Sequence, residues 1–196
     1  MTIADQTLRS YGATEAQAYV EKAREIAPAV REQSKRIEDD RGFFARAWSA
    51  REFGEMGLAT EFPDINFSLS KRKGTIRGMH YQKAPHQEAK FVRCVRGALF
   101  DVIIDLRPDS PTFQRWAGFE VDARSHEAIY VPAGCAHGVQ TLEDNTEMLY
   151  MVSATYQPDA EAGLRWDDPF FGIEWPDVGQ RIVTDKDRSW PDYQPI

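Results

Sequence analysis

His80, Tyr150 and Asp187 together carry the groups needed to take a proton from carbon and return it. His80 ends the motif Arg77-Gly-Met-His80, and histidine, with an ordinary pKa of ~6.5, is suited to act as a base near neutral pH. The Tyr150 phenol is able to donate a proton, and the Asp187 carboxylate is able to orient a histidine and stabilise its charged form. This combination predicts general acid–base chemistry at a substrate carbon.

A further histidine, His137, ends the motif Pro132-Ala-Gly-Cys-Ala-His137. The pattern Pro-x-Gly-x-x-His resembles the second sequence motif of the cupins, whose histidine points into a β-barrel. The matching first motif needs His-x-His followed by a glutamate, whereas Tyr81-Gln82 follows His80 and Glu88 is only approximately placed. Because two histidines alone furnish a zinc or iron site poorly, we predict that the protein binds no metal.

Three charged residues are expected to share a site with His80. Arg77 precedes it by three residues on the same predicted strand, and Lys90 opens the next strand. Asp101 interrupts the apolar run 98–104, where a buried carboxylate is costly unless it is paired. We therefore predict that Asp101 forms a hydrogen bond with a histidine or arginine inside the barrel.

The elements that position these residues are predicted to be strands. From residue 42 onward the apolar residues recur with a period near two, and Gly, Pro, Asn and Asp mark the turns. Many short strands at this spacing indicate an all-β sandwich or barrel, and no glycine-rich phosphate loop opens a helix as in a Rossmann or P-loop fold. The predicted strands are 42–48, 62–70, 75–82, 90–96, 98–106, 116–121, 127–131, 138–142 and 147–156.

The two ends of the chain differ from this β-rich centre. Residues 13–38 have the spacing of an amphipathic helical segment, which we interpret as helices 14–26 and 28–38 separated at Pro28. We expect this segment to pack against the barrel or a second subunit. The tail after Pro158 is rich in Trp, Asp and Pro, and we expect it to wrap over the barrel and carry Asp187 back towards it.

Composition limits the classes of function that are open to this chain. Its 196 residues suit one main domain. A net charge of −7 argues against a nucleic-acid-binding protein, which needs a basic face. Cys94 and Cys135, in apolar surroundings, are predicted to be buried free thiols, which favours a reducing compartment. We expect a cytoplasmic protein, because we find neither a signal peptide nor an apolar run of membrane length.

Several motifs in order resemble the dTDP-4-dehydrorhamnose 3,5-epimerase family, over about residues 39–190. The resemblance implies an all-β, cupin-like jelly roll (double-stranded β-helix) at residues 39–196, with residues 1–38 as an N-terminal helical extension. It also implies an epimerase that uses no cofactor. The motifs are Asp40-Arg-Gly-Phe-Phe44, Arg77-Gly-Met-His-Tyr-Gln82, Lys90-Phe-Val-Arg93, Phe100-Asp-Val102, Val131-Pro-Ala-Gly-Cys-Ala-His-Gly138, Glu147-Met-Leu-Tyr150, Trp166-Asp-Asp-Pro169 and Lys186-Asp187.

The resemblance assigns roles to the residues of the predicted site. His80 would remove the carbon-bound proton, with Asp187 orienting it, and Tyr150 would return a proton on the opposite face. Lys90 would stabilise the enolate, while Arg77, Asp101 and His137 would bind substrate in the same pocket. The implied substrate is a nucleotide-diphospho-4-keto-6-deoxyhexose, in which the C4 ketone acidifies the hydrogens on C3 and C5. Inversion of either centre or both is open.

The nucleotide end of the substrate is assigned to four further residues. Arg41 resembles a position that holds the diphosphate, and Phe44 and Tyr156 resemble positions that contact the base, with Asn66 close by. Three features depart from the family: Arg46 stands where an acidic residue is usual, Asp64-Ile-Asn66 stands where Gln-Asp-Asn is usual, and the opening β-ribbon is replaced by the helical segment 13–38. The nucleotide, dTDP, CDP, GDP or UDP, therefore stays open.

The resemblance also implies a homodimer. Two other classes of function stay open beside the epimerase. One is a catalytically silent cupin that binds a sugar nucleotide or another small ligand, and the other is a metal-dependent cupin oxygenase. A purely binding protein has no need of an opposed acid and base, so His80, Tyr150 and Asp187 favour the epimerase.

Overall fold

The structure, a computed structural model, describes residues 36–195, and the statements below concern those residues. They form eleven strands, two short α-helices and one 3-10 turn at Pro158–Ala160. The helices are α1, Ala50–Glu55, and α2, Asp185–Arg188. The strands are β1 Ile37–Asp39, β2 Gly42–Phe44, β3 Asp64–Ser70, β4 Ile76–Gln82, β5 Lys90–Arg96, β6 Ala98–Asp105, β7 Trp116–Asp122, β8 Ala128–Val131, β9 Cys135–Thr141, β10 Thr146–Val152 and β11 Glu161–Gly163.

Two antiparallel sheets form the body of the protein. Sheet I has four strands in the order β3-β10-β5-β8, and sheet II has five in the order β11-β4-β9-β6-β7. Most neighbours within a sheet are far apart along the chain, as Greek-key connections require in a jelly roll. The predicted all-β, cupin-like jelly roll is therefore confirmed.

Strand alternation divides each strand between the space inside the two sheets and an outer face. Apolar side chains close one part of the inner space, among them Val92, Ile103, Val131 and Cys135. The rest of the inner space receives polar side chains, because the same inward-facing alternation brings His80 opposite His137, on adjacent strands of sheet II. The space between the two sheets is thus packed with apolar side chains in one part and lined by polar side chains in the other.

The tail covers the outer face of sheet II. Phe171 and Trp175 of the tail are buried in one cluster with Val102 and Trp116, and the Trp116 Nε1–H donates to the Phe171 carbonyl at 3.0 Å. Further on, Ile182 makes a parallel bridge beside the start of β4. The predicted wrap of the tail over the barrel is confirmed, and it returns the chain to the strand that carries His80.

The N-terminal part of the described region differs from the prediction. Strands β1 and β2 form an antiparallel hairpin, with Ile37 opposite Phe44 and a tight turn at residues 40–41. The predicted helix 28–38 is therefore wrong at residues 37–38, which belong to a β-hairpin. Cross-strand pairing outweighs the helical spacing of a single Ile37 there. Residues 14–26 lie outside the described part of the chain, and the boundary at 38/39 falls within β1 and stays a prediction.

Some strand ends differ from the predicted ones, and helix α1 was not predicted. The predicted strand 42–48 ends at Phe44, and α1 follows, packing Phe53 against Phe91 on the outer face of sheet I. Strand β9 begins at Cys135 instead of 138, and β10 ends at Val152 instead of 156. Both cysteines are buried and free, as predicted. Neither helix within residues 36–195 is long and apolar enough to cross a membrane.

Candidate active site

A close approach of β4 and β9 sets the position of His80. Gly78 has a φ of +125°, and a Cβ atom there would lie 2.5 Å from the Cα of Gly138. Only glycine tolerates both this conformation and this contact. The pairing of the two strands shifts between Arg77 and His80, and His80 then stands directly opposite His137. The glycine in Arg-Gly-Met-His is thus part of what aims the histidine.

Asp187 forms a short hydrogen bond with the His80 ring. The His80 Nε2 and Asp187 Oδ1 atoms are 2.6 Å apart, and Asp187 is buried with 3% of its surface exposed. Helix α2, which carries Asp187, begins after Thr184. The Thr184 hydroxyl caps this helix by accepting the Asp187 backbone N–H at 3.2 Å, which fixes the position of the carboxylate beside His80. The backbone N–H of Gly78 contacts the second carboxylate oxygen at 3.5 Å.

The electrostatics of this pair decide which nitrogen of His80 is basic. Burial by itself would raise the pKa of Asp187, but the hydrogen bond and charge of His80 and the Gly78 N–H bring the pKa below its ordinary value. Asp187 is therefore an ionised acceptor, and the neutral ring carries its proton on Nε2. Nδ1 is left as the basic atom, and about a third of the His80 side chain (36%) is exposed.

Lys90, at the start of β5, extends its ammonium group to the backbone of His80. Its Nζ donates to the His80 carbonyl at 3.4 Å and lies 3.2 Å from Glu88 Oε1. Lys90 is buried, with 10% of its side chain exposed. A buried cation needs such an anionic partner, so Lys90 and Glu88 are best described as one unit.

His137 and Asp101 form the other buried histidine–carboxylate pair. The His137 Nε2 and Asp101 Oδ2 atoms are 2.8 Å apart, and the two side chains are 8% and 0% exposed. The prediction that Asp101 is paired inside the barrel is confirmed. The Asp101 Oδ1 atom, which is buried, has no hydrogen-bond partner among the described residues.

Tyr150 projects from β10 of sheet I into the space that His80 enters from sheet II. It stands opposite Val92 of β5 and Asn66 of β3. Burial raises the pKa of the Tyr150 phenol, the charge of Glu88 raises it further, and the charge of Arg77 lowers it in part. Tyr150 is therefore a proton-bearing group at neutral pH.

The nucleotide-end residues fall into two groups. Asn66 lies on the inward face of β3 beside Tyr150. The others lie on the surface: Arg41 is 90% exposed and pairs only with neighbouring Asp39 among the described residues, and Phe44 is 67% exposed. Tyr156 is 55% exposed, and its hydroxyl donates to Glu161 at 2.9 Å. Within one chain, the structure does not bring Arg41 and Phe44 to the site.

Two residues around the site were missed as site residues or given another meaning. Glu88 was weighed only as a misplaced metal ligand, although its position two before Lys90 puts both side chains on one side of an extended chain. Glu161 pairs with Lys186, the neighbour of Asp187. That contact joins β11 to α2 and has no local sequence signal. Within residues 36–195, no three His, Cys, Asp or Glu side chains form a metal-binding cluster.

Comparison with known proteins decides the family. A sequence model of the family described as dTDP-4-dehydrorhamnose 3,5-epimerase matches residues 23–194. The chain belongs to the dTDP-4-dehydrorhamnose 3,5-epimerase family. A member from Sinorhizobium fredii is 40% identical over 161 residues, which are 80% of each protein. The chain is accordingly an enzyme of the isomerase class, an epimerase of deoxysugar biosynthesis.

Solved structures of epimerases have the same fold. The dTDP-4-dehydrorhamnose 3,5-epimerase from Bacillus anthracis, with TDP and pyrophosphate bound, is 40% identical with a TM-score of 0.78, covering 81% of this chain and 90% of that one. A 3'-monoepimerase from Streptomyces bikiniensis in complex with dTDP-quinovose is 32% identical with a TM-score of 0.74, covering 81% and 80%. The fold is thus shared by a 3,5-epimerase and a monoepimerase.

Proposed function

We propose that the protein inverts C3, C5 or both of a nucleotide-diphospho-4-keto-6-deoxyhexose by proton transfer through an enolate. The observation that carries this proposal is the placement of the base and the acid on different sheets. His80 belongs to β4 of sheet II and Tyr150 to β10 of sheet I. A sugar ring held between the sheets meets the base on one face and the acid on the other, which is what inversion requires.

In the first step, the Nδ1 atom of His80 takes a proton from the carbon next to the C4 ketone. The carbon–hydrogen electron pair moves into an enolate, whose negative charge collects on O4. Asp187 accepts a hydrogen bond from the Nε2–H of the ring throughout, so it keeps Nδ1 free of a proton and stabilises the imidazolium once it forms. No electrons leave the substrate, so the reaction consumes no redox cofactor.

Lys90 is the candidate group for stabilising the enolate. Its ammonium lies beside the His80 backbone in a buried setting, where a fixed charge acts more strongly than it does in water. Arg77 is a second cation of the site, held by Ser70 Oγ at 3.1 Å. Cations that are already in place when charge develops on O4 lower the barrier without reorganisation.

In the second step, Tyr150 returns a proton to carbon on the opposite face. Its raised pKa suits a phenol that must stay protonated until the enolate forms. The buried Asp101–His137 pair and Asn66 are proposed to bind sugar hydroxyl and carbonyl groups. Whether one centre or both are inverted depends on which carbons lie within reach of Tyr150.

We also propose that the active form is a homodimer. Three apolar side chains on the outer face of β3 are exposed, namely Ile65 (60%), Phe67 (68%) and Leu69 (44%). Such a contiguous apolar stripe on an edge strand favours association. Arg41 and Phe44 stand exposed on the β1–β2 hairpin, and a second subunit would give them a nucleotide to bind. The β1–β2 hairpin and the apolar stripe on β3 supply the contact surface between the two subunits.

The substrate nucleotide and the compartment are proposed on separate grounds. Thymidine diphosphate is the first candidate, because the Bacillus anthracis relative contains TDP and the Streptomyces relative a dTDP sugar. A cytoplasmic location is supported by two buried cysteines that are free instead of joined.

Deuterium incorporation from D₂O, followed by NMR, tests the proposed reaction. The enzyme is incubated with dTDP-4-keto-6-deoxyglucose and, in parallel, with the CDP-, GDP- and UDP-linked sugars. Exchange at C3 and C5 identifies a 3,5-epimerase, and exchange at one carbon identifies a monoepimerase. His80→Ala should lose exchange while calorimetry still detects ligand binding. Folded wild-type protein that binds a donor without exchanging it would overturn the proposal in favour of a binding protein.

A further inference from the structure

We propose that Glu88 is a positioning residue of the reaction: it aims the Lys90 ammonium at the substrate oxygen. The inference rests on the proposed function and assigns a role to a residue outside the base, acid and orienting carboxylate. The geometry around the Glu88 carboxylate carries it.

Both oxygens of Glu88 are occupied by fixed donors. Oε1 lies 3.2 Å from Lys90 Nζ, and Oε2 accepts the Gln82 amide N–H at 2.9 Å. Glu88 is largely buried, with 12% of its side chain exposed, and Gln82 is 3% exposed. A carboxylate held on both oxygens is not free to take a substrate proton, so Glu88 acts through its neighbours and not as a base.

Gln82 is itself held in place, which makes the arrangement rigid. Its side-chain oxygen accepts the Gln157 backbone N–H at 2.6 Å, and its amide also donates to the His86 carbonyl at 3.1 Å. Gln82 thus ties Glu88 to the segment that follows Tyr156. Because these bonds are made by a buried amide, Glu88 is already in position before substrate arrives.

The contacts of Lys90 show what this positioning achieves. An ammonium has three N–H donors. Glu88 and the His80 carbonyl take two of them, at 3.2 and 3.4 Å. One N–H is left over, and we assign it to O4 of the substrate, where negative charge develops. Without Glu88, the lysine ammonium would keep only the longer contact to the His80 carbonyl, at 3.4 Å, and its direction would be less firmly fixed.

Tyr150 is the second group on which Glu88 acts. Apart from burial, the charges that move the pKa of the phenol are Glu88, which raises it, and Arg77, which lowers it. The strands paired with β10 place only Val92 and Asn66 opposite Tyr150, and neither titrates. The remaining charged or titratable groups of the same site are His80, Lys90, Asp101, His137 and Asp187.

The charge of Glu88 sets the direction in which a substitution there should move the pH profile. Glu88→Gln keeps the shape and the Gln82 contact but removes the negative charge, so the pKa of Tyr150 falls. The phenol then loses its proton at a lower pH, and the alkaline limb of the pH profile of kcat for inversion moves to lower pH. Glu88→Asp keeps the charge, so its alkaline limb should stay nearer to that of the wild type.

The test compares these two variants with wild type and with Glu120→Gln, an exposed residue of β7 that provides a matched control. We expect kcat for deuterium exchange to fall about tenfold in Glu88→Gln with KM little changed, because the Lys90 ammonium loses the contact that fixes it beside the developing charge on O4. In protein labelled with ¹³Cζ-tyrosine, the Tyr150 signal, assigned by its loss in Tyr150→Phe, should titrate at lower pH in Glu88→Gln.

The outcomes separate this inference from the proposed function. If wild type exchanges and Glu88→Gln has an unchanged kcat and alkaline limb, the role of Glu88 is refuted and the epimerase stands. If wild type, Glu88→Gln and Glu88→Asp differ only in melting temperature, Glu88 has a structural role alone and the inference is again refuted. If wild type itself exchanges nothing, the proposed function fails, and an unshifted Tyr150 titration would also refute the electrostatic part of the inference.

Discussion

The His80 Nε2 and Asp187 Oδ1 atoms lie 2.6 Å apart although 107 positions separate the residues. His80 belongs to β4, an inner strand of sheet II, and Asp187 belongs to α2, a single-turn helix in the tail. The contact exists because the tail crosses sheet II and bridges the start of β4 at Ile182. The proposed base therefore depends on the last part of the chain for its tautomer and orientation.

Asp187→Asn should reduce the exchange rate by roughly 10²-fold or more, because an amide no longer imposes the Nε2–H tautomer or stabilises the imidazolium. Asp185→Asn changes an exposed carboxylate two residues earlier and should leave the rate unaltered. Deuterium incorporation by NMR measures both. Equal rates for Asp187→Asn and wild type would remove Asp187 from the mechanism.

Tyr150→Phe should separate proton removal from inversion. His80 still takes the proton and can return deuterium to the same face, so exchange should fall less than tenfold while inversion falls about 10²-fold. The stereochemistry of the deuterated sugar, read by NMR coupling constants, distinguishes the two. Tyr130→Phe makes the same chemical change on the outer face of sheet I, where the hydroxyl accepts the Ala59 N–H, and should leave inversion intact. Full inversion by Tyr150→Phe would mean that another group is the acid.

Asp105 should make stability depend on pH in the acid range. Burial alone would raise its pKa, but hydrogen bonds from Arg107, Ser110 and Thr112 bring the pKa to about 2. Because this is below the ordinary value of 3.8, the stabilisation is present above pH ~4 and is lost as the pH falls towards ~2. Asp105→Asn should thus cost on the order of 2 kcal/mol of unfolding free energy at pH 7.

Denaturant unfolding at pH 7 and pH 3 measures this effect. The gap in unfolding free energy between wild type and Asp105→Asn should narrow at pH 3, since wild type has lost part of its stabilisation there. Asp109→Asn alters an exposed carboxylate in the same turn and should have little effect at either pH. A gap of equal size at both values would show that the charge of Asp105 does not stabilise the fold.

Phe67→Asp should dissociate the proposed homodimer, because it places a charge in the middle of the exposed apolar stripe on β3. Sedimentation velocity should report a dimer for wild type and a monomer for the variant. Phe170→Asp, at an exposed phenylalanine of the tail (44% exposed), is the matched control and should remain dimeric. A wild-type monomer at all concentrations would contradict the dimer and leave Arg41 and Phe44 without a nucleotide to bind.

Much of the fold could be predicted locally. Period-two alternation located most strands of both sheets, because the side chains of a strand alternate between core and surface wherever one face is buried. Asp101 could be predicted to be paired from its apolar neighbours alone, because an unpaired buried carboxylate is unstable. The hairpin at residues 37–44 was missed, since a pair of three-residue strands owes its stability to pairing and carries little pattern.

The sequence by itself determined the residue types at the site, the β-rich core and the motifs that carry the family. Only the tertiary structure decided that His80 and Tyr150 stand on opposite sheets, that Glu88 holds Lys90, and that Arg41 lies on the surface, away from the other site residues of its own chain. The physical reason is that alternation and turn residues act over a few positions, whereas these contacts depend on strand register, sheet order and the path of the tail. Those follow from the packing of the whole chain.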